Sequence, residues 1–237
     1  MNAWLEWLTP YVLGQLPAAP ARVMELGCGR DGGFVPALAE AGYDVLGVDP
    51  KAPDGERFRQ LGFEEFTPSH DYDAVVACLS LHHVDDPDAA AAKIAGLLAP
   101  DGVVVVIESA WERHDAATVA WWSARLGPPP ADLDAPDVSF LHRHLAWWRE
   151  SGQPWQAYFS EWAAAHGMHP SDSVLTALDR HFVRHHHDTG PYLFPELPGT
   201  SEQDERDAIA AGEVEPLCVR YVGSHRAGAA ASVGDQG

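Results

Sequence analysis

The sequence predicts a three-layer α/β domain. Its sheet is mostly parallel and seven-stranded, the last strand is antiparallel, and a helical insertion precedes the final strands. Two observations carry this. Between residues 22 and 109, short β-branched runs alternate with helical stretches. The runs are apolar without polar alternation, as strands covered on both faces require. After Ser109 the alternation stops, and the chain closes with strand, helix and strand, which places an antiparallel hairpin at the end. The length agrees: 237 residues are more than one domain of ~150 residues and fewer than two. A chain this long buries enough surface to fold without a disulfide or a metal.

Trp4, Leu5, Leu8, Tyr11 and Val12 recur at helical spacing, in a helix ended by Pro17 and Pro20. Arg22–Leu26 is a strand that runs into glycines. A helix over Phe34–Ala41 tolerates Pro36 in its first turn. Tyr43–Asp49 forms the second strand. A short helix over Gly55–Leu61 leads to a third strand at Phe63–Phe66, and Asp73–Leu81 forms the fourth. A helix over Ala89–Leu98 precedes the fifth, Gly102–Ser109. Trp111–Met168 reads as helical, broken at Pro128–Pro130 and near Pro136, and holds seven of the nine tryptophans. His181–Asp188 is a strand, Ser201–Ala211 a polar helix and Leu217–Gly223 the last strand. The reading is one domain over residues 1–223 with an insertion at about 110–170, capping the carboxyl edge of the sheet. The Gly-, Ala- and Ser-rich tail over 224–237 is expected to be flexible.

Fifteen basic against 35 acidic residues give a net charge of −20. There is no basic footprint for nucleic-acid phosphates or for an anionic membrane surface. No apolar run approaches the ~20 residues that span a bilayer. The N-terminus has no basic segment and carries Glu6 within its apolar stretch, so no signal peptide is expected. Cys28, Cys78 and Cys218 are odd in number and far apart, which fits a reducing compartment and places the protein in the cytoplasm.

Gly27, Gly29 and Gly32 form G-x-G-x-x-G after a strand and before a helix. Glycines there let the backbone turn tightly and approach a ligand. Asp49 ends the next strand, 20 residues beyond Gly29, where a carboxylate can accept from ribose hydroxyls. Two nucleoside cofactors share this pattern, a nicotinamide dinucleotide and S-adenosylmethionine. Glu25, two residues before Gly27, suits a ligand with an ammonium and a sulfonium and would repel a pyrophosphate. No tyrosine is followed four residues on by lysine, the pair a short-chain dehydrogenase would need. The strand–helix–strand ending points the same way.

Val23–Gly32, Val45–Pro50, Tyr72–Asp86 and Leu97–Glu108 together resemble, in order and spacing, the successive motifs of the class I S-adenosylmethionine-dependent methyltransferases. The resemblance covers about residues 21 to 109 and implies a Rossmann-like methyltransferase fold. It implies that Glu25, Gly27, Cys28 and Gly29 line the methionine end of the donor. It further implies that Asp49 holds the ribose and that Pro50 lies beside the adenine. Glu64 or Glu65 takes the adenine-side acid's place, although Phe63–Phe66 departs from the family's usual Gly-Asp pair. It also implies that Cys78 and Leu79 lie near the sulfonium. The implied reaction moves the donor's methyl to a small organic acceptor and leaves S-adenosylhomocysteine. Carbon, oxygen and nitrogen acceptors are all admissible, and so are a monomer and a homodimer. The alternatives are a protein that binds the donor without methylating, or an NAD(P)-dependent oxidoreductase.

Three groups are candidate catalysts. His82 and His83 follow the fourth strand at the carboxyl edge, where open α/β sheets bind ligands, and either could take a proton from the acceptor. Glu108 ends the fifth strand at the same edge and could orient substrate or cap the next helix. The structural alternative for each histidine is a packed, hydrogen-bonded ring. The tryptophan-rich block reads either as helix packing or as an aromatic lid over the acceptor. On a strand, His185 and His187 share a face, but no carboxylate or histidine at a familiar metal spacing accompanies them. No metal site is therefore expected, and elemental analysis of untagged protein should find no stoichiometric zinc. One bound equivalent would overturn this.

Overall fold

The computed structural model describes residues 3–68, 70–133, 135 and 138–225. In chain order the elements are α1 (Ala3–Gln15), β1 (Arg22–Leu26), α2 (Val35–Glu40), β2 (Asp44–Val48), β3 (Phe58–Arg59) and β4 (Tyr72–Cys78). There follow α3 (Pro87–Leu97), β5 (Leu98–Ser109), α4 (Ala116–Ser123), α5 (Phe140–Ser151) and α6 (Trp155–Ala165). The chain closes with α7 (Ser171–His181), β6 (Phe182–Gly190), α8 (Glu202–Ala210) and β7 (Cys218–His225).

Seven strands form one sheet in the order β3-β2-β1-β4-β5-β7-β6. β1 pairs in parallel with β2 and β4, β2 with β3, and β4 with β5. Antiparallel pairing is confined to the last strands. The central strands account for the sequence signal: Ala74–Ala77 of β4 and Val104–Ile107 of β5 are essentially inaccessible, so neither face offers a place for a polar residue. The helices start where the sequence supplies an acceptor. Asp86 caps α3 through the amides of Asp88 and Ala89, and Ser201 and Asp204 cap α8 reciprocally.

The third strand lies elsewhere than the sequence suggests. Phe63–Glu65 is a turn, closed by Glu65 N–H to Gly62 O at 3.1 Å and Phe66 N–H to Phe63 O at 3.2 Å. The short β3 occupies the stretch read as a helix. Gly47 N–H donates to Arg57 O at 2.8 Å and Asp49 N–H to Arg59 O at 3.1 Å. Gly55 at φ 147° breaks the helical path, and the Arg57 and Arg59 carbonyls are taken by β2 instead of by a helix. Phe63 and Phe66 are both buried because a turn brings positions three apart to one side, which an apolar–polar–polar–apolar run in a strand would not do. Ser224 and His225, read as the start of the tail, extend β7 instead, while residues 226–237 lie outside the described residues.

The chain divides into two compact units. One comprises the residues up to Glu108, Asp172–Asp188 and those from Arg220; the other comprises Ser109–Ser171 and Thr189–Val219. The second unit has its own core, including Trp121, Trp122, Leu141, Trp155, Phe159, Leu193 and Leu217. Trp121 and Trp122 are thus packing residues, while Trp147 is exposed. Two histidines are buried in this core. His114 Nε2 accepts from Trp122 Nε1 at 2.6 Å, and its ring packs on Trp155 and Phe159. His144 Nδ1 lies 2.9 Å from the Tyr158 hydroxyl, ringed by Phe140, Trp147, Phe159 and Trp162. Burial lowers both imidazoles to about 3 from the usual 6.5, so both are neutral.

Unfolded, each imidazole takes a proton below pH 6.5; folded, neither does until about pH 3. The stability present above pH 6.5 is therefore lost as pH falls from 6.5 towards 3, by up to about 1.4 kcal/mol per pH unit for each histidine. Denaturant unfolding between pH 8 and 4 should show this fall, and His144→Phe should make it shallower by about one proton. An unchanged slope in His144→Phe would show that His144 is not the buried neutral group.

Candidate functional site

The glycine loop after β1 is shaped by a buried acid. Glu25 lies within β1 and is 1% exposed. Its Oε2 accepts from Phe34 N–H at 2.8 Å and Val35 N–H at 3.0 Å, and its Oε1 from Phe34 N–H at 3.0 Å. These amides open α2, so the carboxylate ties the far end of the loop back to the strand. The fit is close enough that a Cβ at Gly33, itself at φ 52°, would collide with the Glu25 carboxylate. Burial raises the Glu25 carboxyl to about 8, against the lowering effect of the two amides. At the near end of the loop, Gly27 N–H donates to Val48 O at 2.8 Å. Gly27 has φ 79°, and a Cβ there would collide with Ser80.

Asp49 follows β2 and is partly buried. Its Oδ2 accepts from Gly29 N–H at 3.0 Å and its Oδ1 from Lys51 N–H at 2.6 Å. One carboxylate thus joins the first loop to the second and keeps lone pairs for hydroxyl donors.

Two cavities lie on the first unit and share Gly27 and Leu79 as walls. One, of about 310 Å³, is lined by Glu25, Gly27, Cys28, Gly29, Cys78 and Leu79, together with Trp4, Leu5, Arg30, Asp31 and Gly33. The other, of about 220 Å³, is lined by Leu26, Gly27, Val48, Asp49, Pro50, Gly62, Phe63, Glu64, Leu79, Ser80 and His83. Of the two acids proposed for the adenine side, Glu64 lines the cavity. Glu65 does not, because its Oε2 turns back to Gly62 N–H at 3.4 Å. Lys93 of α3 fixes this wall, donating to Phe63 O at 2.7 Å and Glu64 O at 2.9 Å. Cys28 is wall alone: burial first, then Glu25 and Asp49, raise its thiol to about 12, so it stays protonated. A larger cavity, about 620 Å³, is lined by residues such as Asp44, Phe58 and Tyr72 and by none of the candidate site residues.

The turn after β4 carries His82 and His83, and Glu108 of β5 meets it. Leu79 has φ 52°, the one positive value outside glycine among the described residues. That conformation costs a non-glycine residue about 1–2 kcal/mol. Its N–H still donates to Ile107 O at 2.8 Å. Glu108 Oε1 accepts from the amides of Ser80, Leu81 and His82 at 3.2, 2.8 and 3.3 Å, and Oε2 meets His82 Nδ1 at 2.5 Å. Glu108 and His82 are buried, and His83 is exposed at the cavity. Ser80 Oγ–H donates to Leu26 O at 2.9 Å, at the foot of the glycine loop. Sequence reasoning missed Trp4, Leu5 and Ser80. The aromatic start of α1 was a signal for the first two, and none marked Ser80.

With this geometry in place, the likeness to known proteins is specific. The model of a methyltransferase-domain family matches residues 4–167. The chain belongs to that family, and so to the class I S-adenosylmethionine-dependent methyltransferases. A 2-ketoarginine methyltransferase of Streptomyces arginensis is 37% identical over 81 residues, which is 29% of this chain and 24% of that protein. The chain thus matches about a quarter of that curated relative's length. The solved S-adenosylmethionine-dependent methyltransferase of Mesorhizobium loti superposes with a TM-score of 0.55 at 20% identity, covering 93% of this chain and 98% of that one. Geranyl diphosphate C-methyltransferase of Streptomyces coelicolor A3(2), in complex with Mg2+, geranyl diphosphate and S-adenosyl-L-homocysteine, gives 0.54 at 18% identity over 94% and 79%. At these identities both structures show the fold. No helix among the described residues is long and apolar enough to cross a membrane.

Folded, Glu25 keeps its proton up to about pH 8; unfolded, it gives it up near 4.5. Its contribution to stability is therefore full below pH 4.5 and is lost as pH rises from 4.5 to 8. Glu25→Gln, which cannot ionise, should lack this slope of about 1 kcal/mol per pH unit. Unfolding free energies of both proteins at pH 5, 6.5 and 8 check it, and a constant difference would refute it.

Proposed function

We propose that the chain transfers the methyl group of S-adenosyl-L-methionine to a small organic acceptor and releases S-adenosyl-L-homocysteine. The observation that supports this most is the pair of cavities walled in common by Gly27 and Leu79. One holds the Glu25 loop and the other holds Asp49, which suits a ligand with a cationic amino-acid end and a ribose. The fit holds on chemistry: Asp49 keeps acceptor capacity, and the glycine loop that Glu25 holds leaves a cavity beside Cys28 and Leu79 for the methionine end.

When bound, the donor supplies a methyl on a positively charged sulfur; the sulfur–carbon bond breaks as the acceptor–carbon bond forms. Asp49 accepts the ribose hydroxyls. Pro50, Phe63 and Glu64 bound the adenine, and Gly27, Cys28, Gly29, Cys78 and Leu79 pack about the methionine end. The main catalytic contribution is holding the reacting atoms at near-attack distance in a dry site. An acceptor that must lose a proton gives it to His83, the candidate base that is both exposed and at the cavity, for a gain of about 10²–10⁴-fold. The donor cavities are lined from the first unit alone, within a single methyltransferase domain over 1–223 that carries an insertion at about 110–170. Cys28, Cys78 and Cys218 form no disulfide, which suits a cytoplasmic protein, and the charge of −20 disfavours nucleic-acid acceptors.

Calorimetry tests the reading. S-adenosylmethionine and S-adenosylhomocysteine should both bind saturably, NADH should not, and Asp49→Ala should weaken the sulfur ligands at least tenfold, the cost of about one charged hydrogen bond. NADH binding alone would return the site to an oxidoreductase.

A further inference from the structure

We infer that Glu108, joined to His82, is a positioning residue of the donor site: it keeps Leu79 in the left-handed conformation that walls both cavities. The inference rests on the donor reading above. It starts from a strained residue. A leucine with φ 52° persists only where its surroundings over-determine it. On one side it is anchored by its own N–H on Ile107 O. On the other, three successive amides, those of Ser80, Leu81 and His82, converge on one oxygen of Glu108. The second oxygen is taken by His82 Nδ1, so the carboxylate is saturated by the turn it holds. A carboxylate committed in this way is not a base for an acceptor.

The same turn carries the constraint to the glycine loop. Ser80 Oγ–H reaches Leu26 O, and Gly27 has no room for a side chain because Ser80 fills it. A relaxed turn would therefore move Leu79 and Ser80 together, and both line the cavity that holds Asp49. Glu108 acts on the donor through the backbone.

The test combines S-adenosylhomocysteine calorimetry with amide exchange of ligand-free protein. Glu108→Gln should weaken binding about tenfold, the size of the strain released, and speed exchange across Ser80–His82 by a similar factor. Glycine occupies the left-handed region at no cost, so Glu108→Gln combined with Leu79→Gly should bind several-fold more tightly than Glu108→Gln alone. A role in general folding, or as a base, predicts no such rescue. Unchanged exchange in Glu108→Gln, or a double variant that binds no more tightly, would overturn the inference. If Glu108→Gln does not fold, single variants at position 79 decide. Leu79→Ile, bulky but β-branched, should bind more weakly than Leu79→Gly, and the reverse order would overturn the inference. A wild-type protein that binds no S-adenosylhomocysteine would refute the donor reading, while the exchange result would still decide the role of Glu108.

Discussion

Backbone amides that turn away from a strand or open a helix need acceptors, and in this chain buried carboxylates provide them. Glu25 serves Phe34 and Val35, Glu108 serves Ser80, Leu81 and His82, and Glu205 serves Tyr192, Leu193 and Phe194. Each is almost inaccessible to water. An acid buried at such depth without partners would cost far more than it returned; two or three amide hydrogen bonds make it tolerable. Burial still pushes Glu25 and Glu205 above the ordinary carboxylate range. The loops gain a fixed shape without a regular element of their own, and the cavities depend on two of the three.

The architecture was legible because its signal is thermodynamic. Strands such as Tyr72–Cys78 and Val103–Ser109 sit between two layers, so nearly every position had to be apolar. Asp49, 20 residues past Gly29, was legible because chemistry dictates that spacing, and its Oδ2 does bond Gly29 N–H. The third strand was illegible: two residues carry no period, and Phe63–Phe66 imitates a strand by composition while folding as a turn. Buried acids were visible as letters but not as roles. Nothing in the sequence tells a carboxylate that faces a ligand from one that faces three amides, since the amides belong to whichever loop the fold brings near. His114 and His144 failed the same way, because a histidine among tryptophans reads alike whether its ring is solvated or sealed.

The two units divide the physical work. The first is aliphatic, with a sheet core of valine and alanine and a rim of loops pinned by acids. The second is aromatic, with Trp155 and Phe159 stacked at 5.1 Å and Phe159 and Trp162 at 5.6 Å. Large rings fill volume between short helices that aliphatic side chains would leave void, and their edges seat the two neutral imidazoles.

The two-residue third strand sets where the sheet opens first. Its edge is joined to β2 near Gly47 and Asp49 by few ladder bonds, and the crossovers on either side of it are loops with no long helix. Opening this edge parts two paired residues where parting β1 from β4 parts four, so it belongs to the low-cost end of the protein's local fluctuations. Asp49 and Pro50 sit beside that edge, so the wall of the Asp49 cavity can open there while the central strands stay closed.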